Sequence, residues 1–200
     1  MSYPLPKRIF DIIAGSIAFI CTLPFYPFIA LAIVLESGFP VFVTLERVSE
    51  GKRTGVYKFR TMIRHADEMK NTLMASNERN DGPLFKIKND PRVTKVGKVL
   101  RKFRIDEFPQ VVNVLQGRLA LVGPRPHEPE EVKQYPAQFK KITLARGGLT
   151  GLSQVSGASA LPFEKELALD SLYLSRQSVW GDLLILAKTF WIFFTDPTGV

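Results

Sequence analysis

Residues 9–35, IFDIIAGSIAFICTLPFYPFIALAIVL, form an apolar run in which Asp11 is the only charged side chain. At about 1.5 Å per residue the run is long enough for one transmembrane helix. Pro24 and Pro27 divide it into two arms, because proline removes a backbone donor and clashes with the preceding turn. Neither arm alone crosses a hydrocarbon core of about 30 Å. The stretch therefore predicts a membrane helix that is broken in its middle.

Basic residues flank this run on both sides. Lys7 and Arg8 precede it, and Arg47 follows at some distance. Because basic flanks favour the cytoplasmic side, we expect residues 1–36 to enter and leave by the same face as a re-entrant helical hairpin. Asp11 is expected near the lipid headgroups, paired with Lys7 or Arg8. A straight span and a cleaved signal peptide are the alternatives.

The composition limits the classes of partner and fold. The chain has 200 residues with 27 Lys and Arg against 19 Asp and Glu, a formal net charge of +8. That surplus indicates an anionic partner, such as nucleic acid, a phosphorylated ligand or an acidic lipid surface. With 46% hydrophobic residues the chain is not a disordered basic tail. A single cysteine excludes a disulfide framework, and two histidines argue against a histidine-rich metal centre.

The remaining chain predicts a helix-rich α+β fold with a small β element and amphipathic interfacial helices. We assign residues 37–200 to one domain that ends in a C-terminal interfacial helix, for which a buried core helix is the alternative. Alternation and turn residues predict two short strands. Apolar spacing predicts the helices. The predicted strands are 40–45 and 55–60, and the predicted helices are 61–77, 94–104, 108–115 and 179–194.

Asp106 and Glu107 are the strongest candidates for chemistry. Adjacent acids before Pro109 also suit the first turn of a helix, which is the ordinary interpretation. Arg101 and Arg104, however, place them in a cationic neighbourhood that keeps carboxylates ionised and attracts phosphate. A carboxylate can attack phosphorus when the phosphate charge is neutralised, usually by Mg²⁺ and arginine.

Three further segments are candidates for phosphate binding. In Gly123-Pro-Arg-Pro126 the prolines restrict Arg125, whose guanidinium suits bidentate binding, although a rigid turn explains the motif equally. Lys58 and Arg60 are two residues apart on a predicted strand and so share a face, which is ordinarily a solvated one. The glycine-rich stretch 147–157 lacks the P-loop and GxGxxG patterns and is weak evidence alone.

Together these segments resemble the monotopic phosphoglycosyl transferases, or bacterial sugar transferases, over almost the whole chain. Several short motifs occur in the order typical of that family. They are Tyr57-Lys-Phe-Arg-Thr-Met62, Asn89-Asp-Pro-Arg-Val-Thr94, Asp106-Glu-Phe-Pro-Gln110, Gly123-Pro-Arg-Pro126 and Gly148-Leu-Thr-Gly-Leu-Ser-Gln-Val-Ser-Gly157.

The resemblance implies a re-entrant helix broken at Pro24 and covalent catalysis by Asp106. Asp106 would attack the β-phosphate of a UDP-sugar and release UMP, and a polyprenyl phosphate, typically undecaprenyl phosphate, would then take the phosphosugar. Glu107 would complete the catalytic pair, and Mg²⁺ would bridge Asp106 and the diphosphate. The residues expected to bind substrate are Lys58, Arg60, Arg101, Pro124, Arg125 and Gln154.

The implied partners are a UDP-sugar donor, a polyprenyl phosphate acceptor and membrane phospholipid. A second copy of the chain is a candidate partner, and no nucleic acid is expected. The implied location is the cytoplasmic face of the bacterial inner membrane, in the initiation of a surface glycan. Two other classes stay open: a non-catalytic monotopic protein that binds anionic lipid or polyphosphate, and a membrane-tethered nucleic-acid binder.

Four positions depart from the pattern of the family. Phe108 replaces the usual leucine, and Leu23 replaces the small polar residue that often precedes the breaking proline. Gly147 and Ala158 replace a usual proline and arginine in the glycine-rich motif. If that motif contacts the donor, these changes are expected to affect which sugar is accepted.

Overall fold

The computed structural model describes residues 3–70, 72–157 and 160–195. It is a helix-rich α+β fold whose described strands form two small sheets. The helices are α1 (Leu5–Thr22), α2 (Tyr26–Ser37), α3 (Lys95–Lys102), α4 (Gln110–Leu115), α5 (Pro129–Lys133), α6 (Leu152–Val155), α7 (Phe163–Ser175) and α8 (Val179–Thr195). The strands are β1 (Phe42–Ser49), β2 (Lys52–Phe59), β3 (Ala120–Val122) and β4 (Gly148–Thr150). Short 3₁₀ turns cover Leu23–Phe25, Met74–Ser76, Ile105–Glu107 and Ala137–Leu144.

The apolar N-terminal run forms α1 and α2, joined by the 3₁₀ turn that contains Pro24. Within the described residues, Leu5–Ser37 is the one helical segment apolar and long enough to cross a membrane, with a mean hydropathy of 2.3. One face of α1 packs on the domain, where Gly15 lets Leu115 of α4 approach closely. At the other end, Ile33 of α2 packs with Phe59 and other apolar side chains.

The charged residues at the start of α1 have other partners than the sequence predicts. Asp11 is fully buried and accepts the backbone N–H of Leu121. Lys7 is also buried and forms its ion pair with Asp182 of α8. Arg8 donates to the carbonyls of α4, which satisfies the C-terminal end of that helix. The predicted pairing of Asp11 with Lys7 or Arg8 is therefore wrong, because all three tie α1 to distant parts of the domain.

The two predicted strands are confirmed, and they pair as a β-hairpin that is longer than expected. β1 and β2 pair antiparallel from Phe42–Phe59 to Ser49–Lys52, across a turn at Glu50 and Gly51. Both turn residues have positive φ, which is the backbone that a two-residue hairpin turn requires. β2 thereby holds Lys58 near its end, facing the segment that follows α3.

The prediction of a helix over 61–77 is wrong. Its described part consists of turns and the 3₁₀ turn Met74–Ser76. The backbone of this segment bonds to a distant part of the chain: Ile63 donates to Arg92, and the carbonyl of Thr61 accepts from Thr94. These long-range bonds take residues 61–63 out of a helix, and the positive φ of His65 (58°) interrupts the backbone after them, where the described backbone hydrogen bonds are local turns such as Glu68 to His65.

The predicted helices at 94–104 and 108–115 are confirmed as α3 and α4 with shorter bounds. Thr94 caps α3 by accepting the N–H of Gly97. Gly97 lies against the backbone of Thr61, where an added Cβ would be 2.0 Å from the carbonyl oxygen. This close approach fixes α3, and with it Arg101, against the segment after β2.

The glycine-rich stretch is a packed structural element. Residues 148–150 form β4, which pairs parallel with β3, and α6 follows directly. An added Cβ on Gly148 would lie 2.1 Å from the backbone nitrogen of Gly123, so the glycine permits the two segments to touch. Gly147 packs on Pro126, which follows Gly123 in the chain. Ala158 lies outside the described residues.

The predicted C-terminal helix is confirmed as α8. Asp182 and Ile185 on one face are buried, and Trp180 and Trp191 are about 70% exposed. The helix therefore combines a packed face with an exposed aromatic surface. It is not a fully buried core helix, which was one of the two alternatives.

Candidate active site

A left-handed residue sets the direction of the Asp106–Glu107 pair. Arg104 has φ 51°, and the 3₁₀ turn Ile105–Glu107 follows it before α4 begins. Non-glycine residues with positive φ are uncommon in proteins, and those that occur cluster at functional sites. Ile105 and Phe108 pack into the apolar cluster beneath the turn. The carboxylates between them consequently face Lys58.

Lys58 connects the two carboxylates. Its Nζ donates to Oδ2 of Asp106 at 3.2 Å and to Oε1 of Glu107 at 2.7 Å. The side chain of Asp106 is 9% exposed and that of Glu107 is 31% exposed. Within the described residues, the second oxygen of each carboxylate accepts no hydrogen bond. The site thus has a fixed ammonium group on one side and two carboxylate oxygens available on the other.

The surroundings shift the pKa values of the three groups differently. Burial raises the pKa of Asp106, and the nearby Lys58 offsets only part of that effect. Burial also acts on Glu107, but Lys58 and the arginines Arg125 and Arg104 outweigh it and lower its pKa. For Lys58, the two carboxylates outweigh burial and raise the pKa, so the ammonium stays charged.

Two predicted arginines complete this electrostatic environment. Arg101 of α3 donates from Nε to Oγ1 of Thr61, and its charge acts on Asp106. Arg125 is exposed, and its charge acts on both Lys58 and Glu107. The structure therefore brings together Lys58, Arg101, Asp106, Glu107 and Arg125, which the sequence predicted as parts of one site.

The other predicted substrate-binding residues have structural contacts. The carbonyl of Pro124 accepts the N–H of Gly148, which fixes the loop that carries Arg125. Gln154 is buried in α6 and donates to the carbonyl of Leu149. Arg60 donates to the end of α2, not to the carboxylate pair. Their predicted contact with substrate remains a prediction.

Sequence reasoning missed two buried carboxylates behind the site. Asp170 of α7 accepts the backbone N–H of Arg125 at 3.0 Å, and burial raises its pKa to about 6. Asp90 receives three hydrogen bonds from the side chain of Arg92, and its pKa is lowered by them. Asp90 lies in Asn89-Asp-Pro-Arg-Val-Thr94, one of the motifs that carry the family resemblance, and the sequence contains no other signal for it. Asp170 lies in a helix with no distinctive local pattern.

The residues present suit a magnesium ion that shares its ligands with the substrate better than a metal ion held by protein ligands alone. Within the described residues no group of three or more His, Cys, Asp or Glu side chains converges. Mg²⁺ is commonly held by one or two carboxylates together with the phosphates of the substrate. The free oxygens of Asp106 and Glu107 match that donor set, and the other ligands would come from the phosphate groups of a bound substrate.

Comparisons with known proteins identify relatives over nearly the whole chain. A family model described as bacterial sugar transferase matches residues 2–196. The chain is 36% identical over 191 residues to an undecaprenyl-phosphate galactose phosphotransferase of Salmonella typhimurium and 38% identical over 202 positions to a UDP-glucose:undecaprenyl-phosphate glucose-1-phosphate transferase of Klebsiella pneumoniae. It is 35% identical over 189 residues to the exopolysaccharide production protein ExoY of Rhizobium meliloti.

These matches cover this chain and its relatives unequally. The alignments include 92% of the chain for the Salmonella and Rhizobium proteins and 96% for the Klebsiella protein. The chain spans 39% of the Salmonella protein and 41% of the Klebsiella protein, but 84% of the Rhizobium protein. The two longer relatives therefore contain more chain than the region matched here.

Proposed function

The chain belongs to the bacterial sugar transferase family, and on that premise we propose that it transfers a sugar-1-phosphate from a UDP-sugar to a polyprenyl phosphate. The names of the Salmonella and Klebsiella relatives support undecaprenyl phosphate as the acceptor. The name of the Rhizobium relative supports a role in exopolysaccharide synthesis. The observation that carries the proposal is the buried carboxylate of Asp106, held by Lys58 among cationic side chains.

The first half-reaction uses Asp106 as the nucleophile. Its carboxylate oxygen forms a bond to the β-phosphorus of the donor, the bond between the β-phosphorus and the bridging oxygen breaks, and UMP leaves with that oxygen and the electron pair. A bound Mg²⁺ would supply charge neutralisation for the diphosphate. Lys58, Arg101 and Arg125 carry the positive charge that lets an anion approach an anionic phosphate.

The second half-reaction restores the enzyme. An oxygen of the lipid phosphate attacks the phosphorus of the covalent intermediate, and the bond to Asp106 breaks and regenerates the carboxylate. Glu107 takes a proton from the lipid phosphate, since its lowered pKa keeps it ionised before the acceptor arrives. The two adjacent acids therefore have separate roles.

We propose that Leu5–Ser37 is re-entrant and that the domain lies on the cytoplasmic face of the inner membrane. Both ends of the segment are fastened to the same domain, Lys7 to Asp182 and Glu36 to the N-terminal amides of α3. Its middle, around Leu23 and Phe25, is exposed. The exposed tryptophans of α8 suit the membrane interface. A segment fastened at both ends with an exposed apolar middle fits entry and exit through one leaflet.

Release of UMP tests the proposed reaction. The purified chain is assayed with Mg²⁺, polyprenyl phosphate and a panel of UDP-sugars, beside Asp106→Asn and the control Asp67→Asn at an exposed position. We expect steady-state release, beyond the first UMP of each chain, that requires the metal, the lipid and Asp106 but not Asp67. Without lipid, Glu107→Gln is expected to retain a single burst of UMP, because its role belongs to the second half-reaction. Silence of the folded wild-type chain across the panel would favour the non-catalytic lipid-binding alternative.

A further inference from the structure

A second cationic site lies at the end of α2, apart from the carboxylate pair. Arg60 is only 5% exposed, and its Nη2 donates to Oγ of Ser37 at 2.8 Å and to the carbonyl of Gly38. Its Nε and Nη1 are also buried, and neither has a hydrogen-bond acceptor in the described part of the chain. Buried guanidinium nitrogens are normally satisfied, so two without an acceptor on one side chain indicate a missing anionic partner.

A second guanidinium lies at the same place. Nη2 of Arg64 is next to Gly38, where an added Cβ would be 2.8 Å from it. Arg60 and Arg64 therefore meet at one glycine, and burial together with the charge of Arg64 lowers the pKa of Arg60. Across residues 3–70, 72–157 and 160–195, neither arginine forms an ion pair with a carboxylate. Two like charges held together without a counter-charge are unfavourable unless an anion joins them.

Exposed apolar side chains lie on both sides of Gly38 in the chain, the residue at which the two arginines meet. Leu35 is 77% exposed, and Phe39 and Phe42 are also exposed. These side chains continue the apolar surface of the membrane segment to its last residue, Ser37. A ligand that contacts both the arginines and these apolar side chains would have an anionic head and a hydrocarbon tail. Because Arg64 is exposed, a charged head approaches the pair of arginines from the side of Arg64.

We propose that Arg60 and Arg64 bind the phosphate group of a membrane lipid. The guanidinium fork matches phosphate oxygens, and the two nitrogens of Arg60 without acceptors would become donors to them. The lipid tail would lie along the exposed apolar side chains near Phe39. Phosphate of this kind comes either from a phospholipid headgroup or from the polyprenyl phosphate. The site is separate from Asp106, and it does not depend on the proposed reaction.

Binding of short-chain probes tests the site. Arg64→Gln is compared with the wild type and with Lys98→Gln, a control that removes one exposed positive charge from α3. Calorimetry measures binding of dihexanoyl phosphatidylglycerol, farnesyl phosphate and inorganic phosphate at constant ionic strength. We expect Arg64→Gln to weaken at least one lipid probe about tenfold, the loss of one charge-assisted hydrogen bond, and Lys98→Gln to leave it unchanged.

Each result has a defined meaning. A loss confined to phosphatidylglycerol identifies a phospholipid site, and a loss confined to farnesyl phosphate identifies an acceptor site. Equal binding by Arg64→Gln and Lys98→Gln would overturn the proposal, as would inorganic phosphate that binds as tightly as the lipid probes. Arg60→Lys, which keeps the charge but removes the fork, is expected to weaken the same probe. Asp106→Asn is expected to bind the phosphatidylglycerol probe like the wild type, so failure of the proposed reaction would not be mistaken for failure of this site.

Discussion

Replacement of Lys58 by methionine removes the group that connects the two acids of the candidate site. Methionine has a similar length but neither charge nor donor, so Asp106 loses a bond of 3.2 Å and Glu107 one of 2.7 Å. Each carboxylate then faces the other without the ammonium between them, and the pKa values of both are expected to rise. Asp106 is affected more, because burial already raises its pKa.

The expected loss of activity follows from the positive charge that Lys58 places where the anionic nucleophile meets an anionic phosphate. A hydrogen bond between charged groups contributes about 1.5–3 kcal/mol, which corresponds to a decrease in kcat of roughly 10- to 150-fold. The decrease should be larger at acidic pH, since a higher pKa leaves less of Asp106 ionised. The acid limb of the pH profile is therefore expected to move to higher pH in Lys58→Met.

The assay is UMP release, with kcat and KM measured from about pH 5.5 to 8.5. Lys52→Met is the matched control, because Lys52 lies on the same strand but is exposed at the hairpin turn. Lys58→Arg keeps the positive charge and is expected to retain part of the activity and the position of the acid limb. Circular dichroism and thermal unfolding establish that each variant is folded.

Two results would refute this reasoning. One is a folded Lys58→Met enzyme with kcat within about twofold of the wild type and an unchanged acid limb. The other is an equal loss in Lys52→Met, which would assign the effect to the strand and not to the bridge. Either result would make Lys58 a structural ion pair without influence on the ionisation of Asp106.

Three other substitutions test the surrounding structure. Asp170→Asn should stabilise the fold above about pH 6 by at most ~3 kcal/mol, because burial raises the pKa of this acid from 3.8 to about 6 and its ionised form therefore destabilises the folded state. Thermal unfolding measured against pH should show that this advantage shrinks between pH 6 and 3.8, and a constant difference would contradict the prediction. Gly97→Ala should cost about 3 kcal/mol in denaturant unfolding, since its Cβ would overlap the carbonyl of Thr61; an unchanged midpoint would contradict the close packing. Pro24→Ala should favour a straight span, so that a cysteine at position 2 in a Cys21→Ser background becomes labelled from the opposite side of the membrane; labelling from an unchanged side would contradict the role of Pro24.

Sequence predicted the elements whose determinants are local. The β1–β2 hairpin is defined by its turn and by alternation, and α3 by the cap at Thr94 and its apolar spacing. The helix over 61–77 failed because residues 61–63 pair with residues near Arg92, some 30 positions away along the chain, and because His65 has a positive φ that a helix does not allow. Apolar spacing indicates which side chains are buried, but it does not show which acceptor each backbone N–H binds.

The charges at the start of α1 show the same limit. The sequence predicts that nearby Asp11 pairs with Lys7 or Arg8, yet Lys7 pairs with Asp182 near the other end of the chain. A flanking charge and an internal ion pair look identical in one sequence, because the partner is distant. The candidate site was easier to predict, since Asp106, Glu107 and two of the cations near them occur within a few residues.

The adjacency of Asp106 and Glu107 cannot tell which of them attacks phosphorus, but their surroundings favour the proposed assignment. A more basic carboxylate is the better nucleophile once it is ionised, and burial gives that property to Asp106. The cations around Glu107 lower its pKa and make it the weaker nucleophile of the two. An acid that stays ionised is suited to hold Lys58 in place and to receive a proton later. The same lysine therefore serves two carboxylates in different ways, and that difference arises from the fold around them and not from their order in the chain.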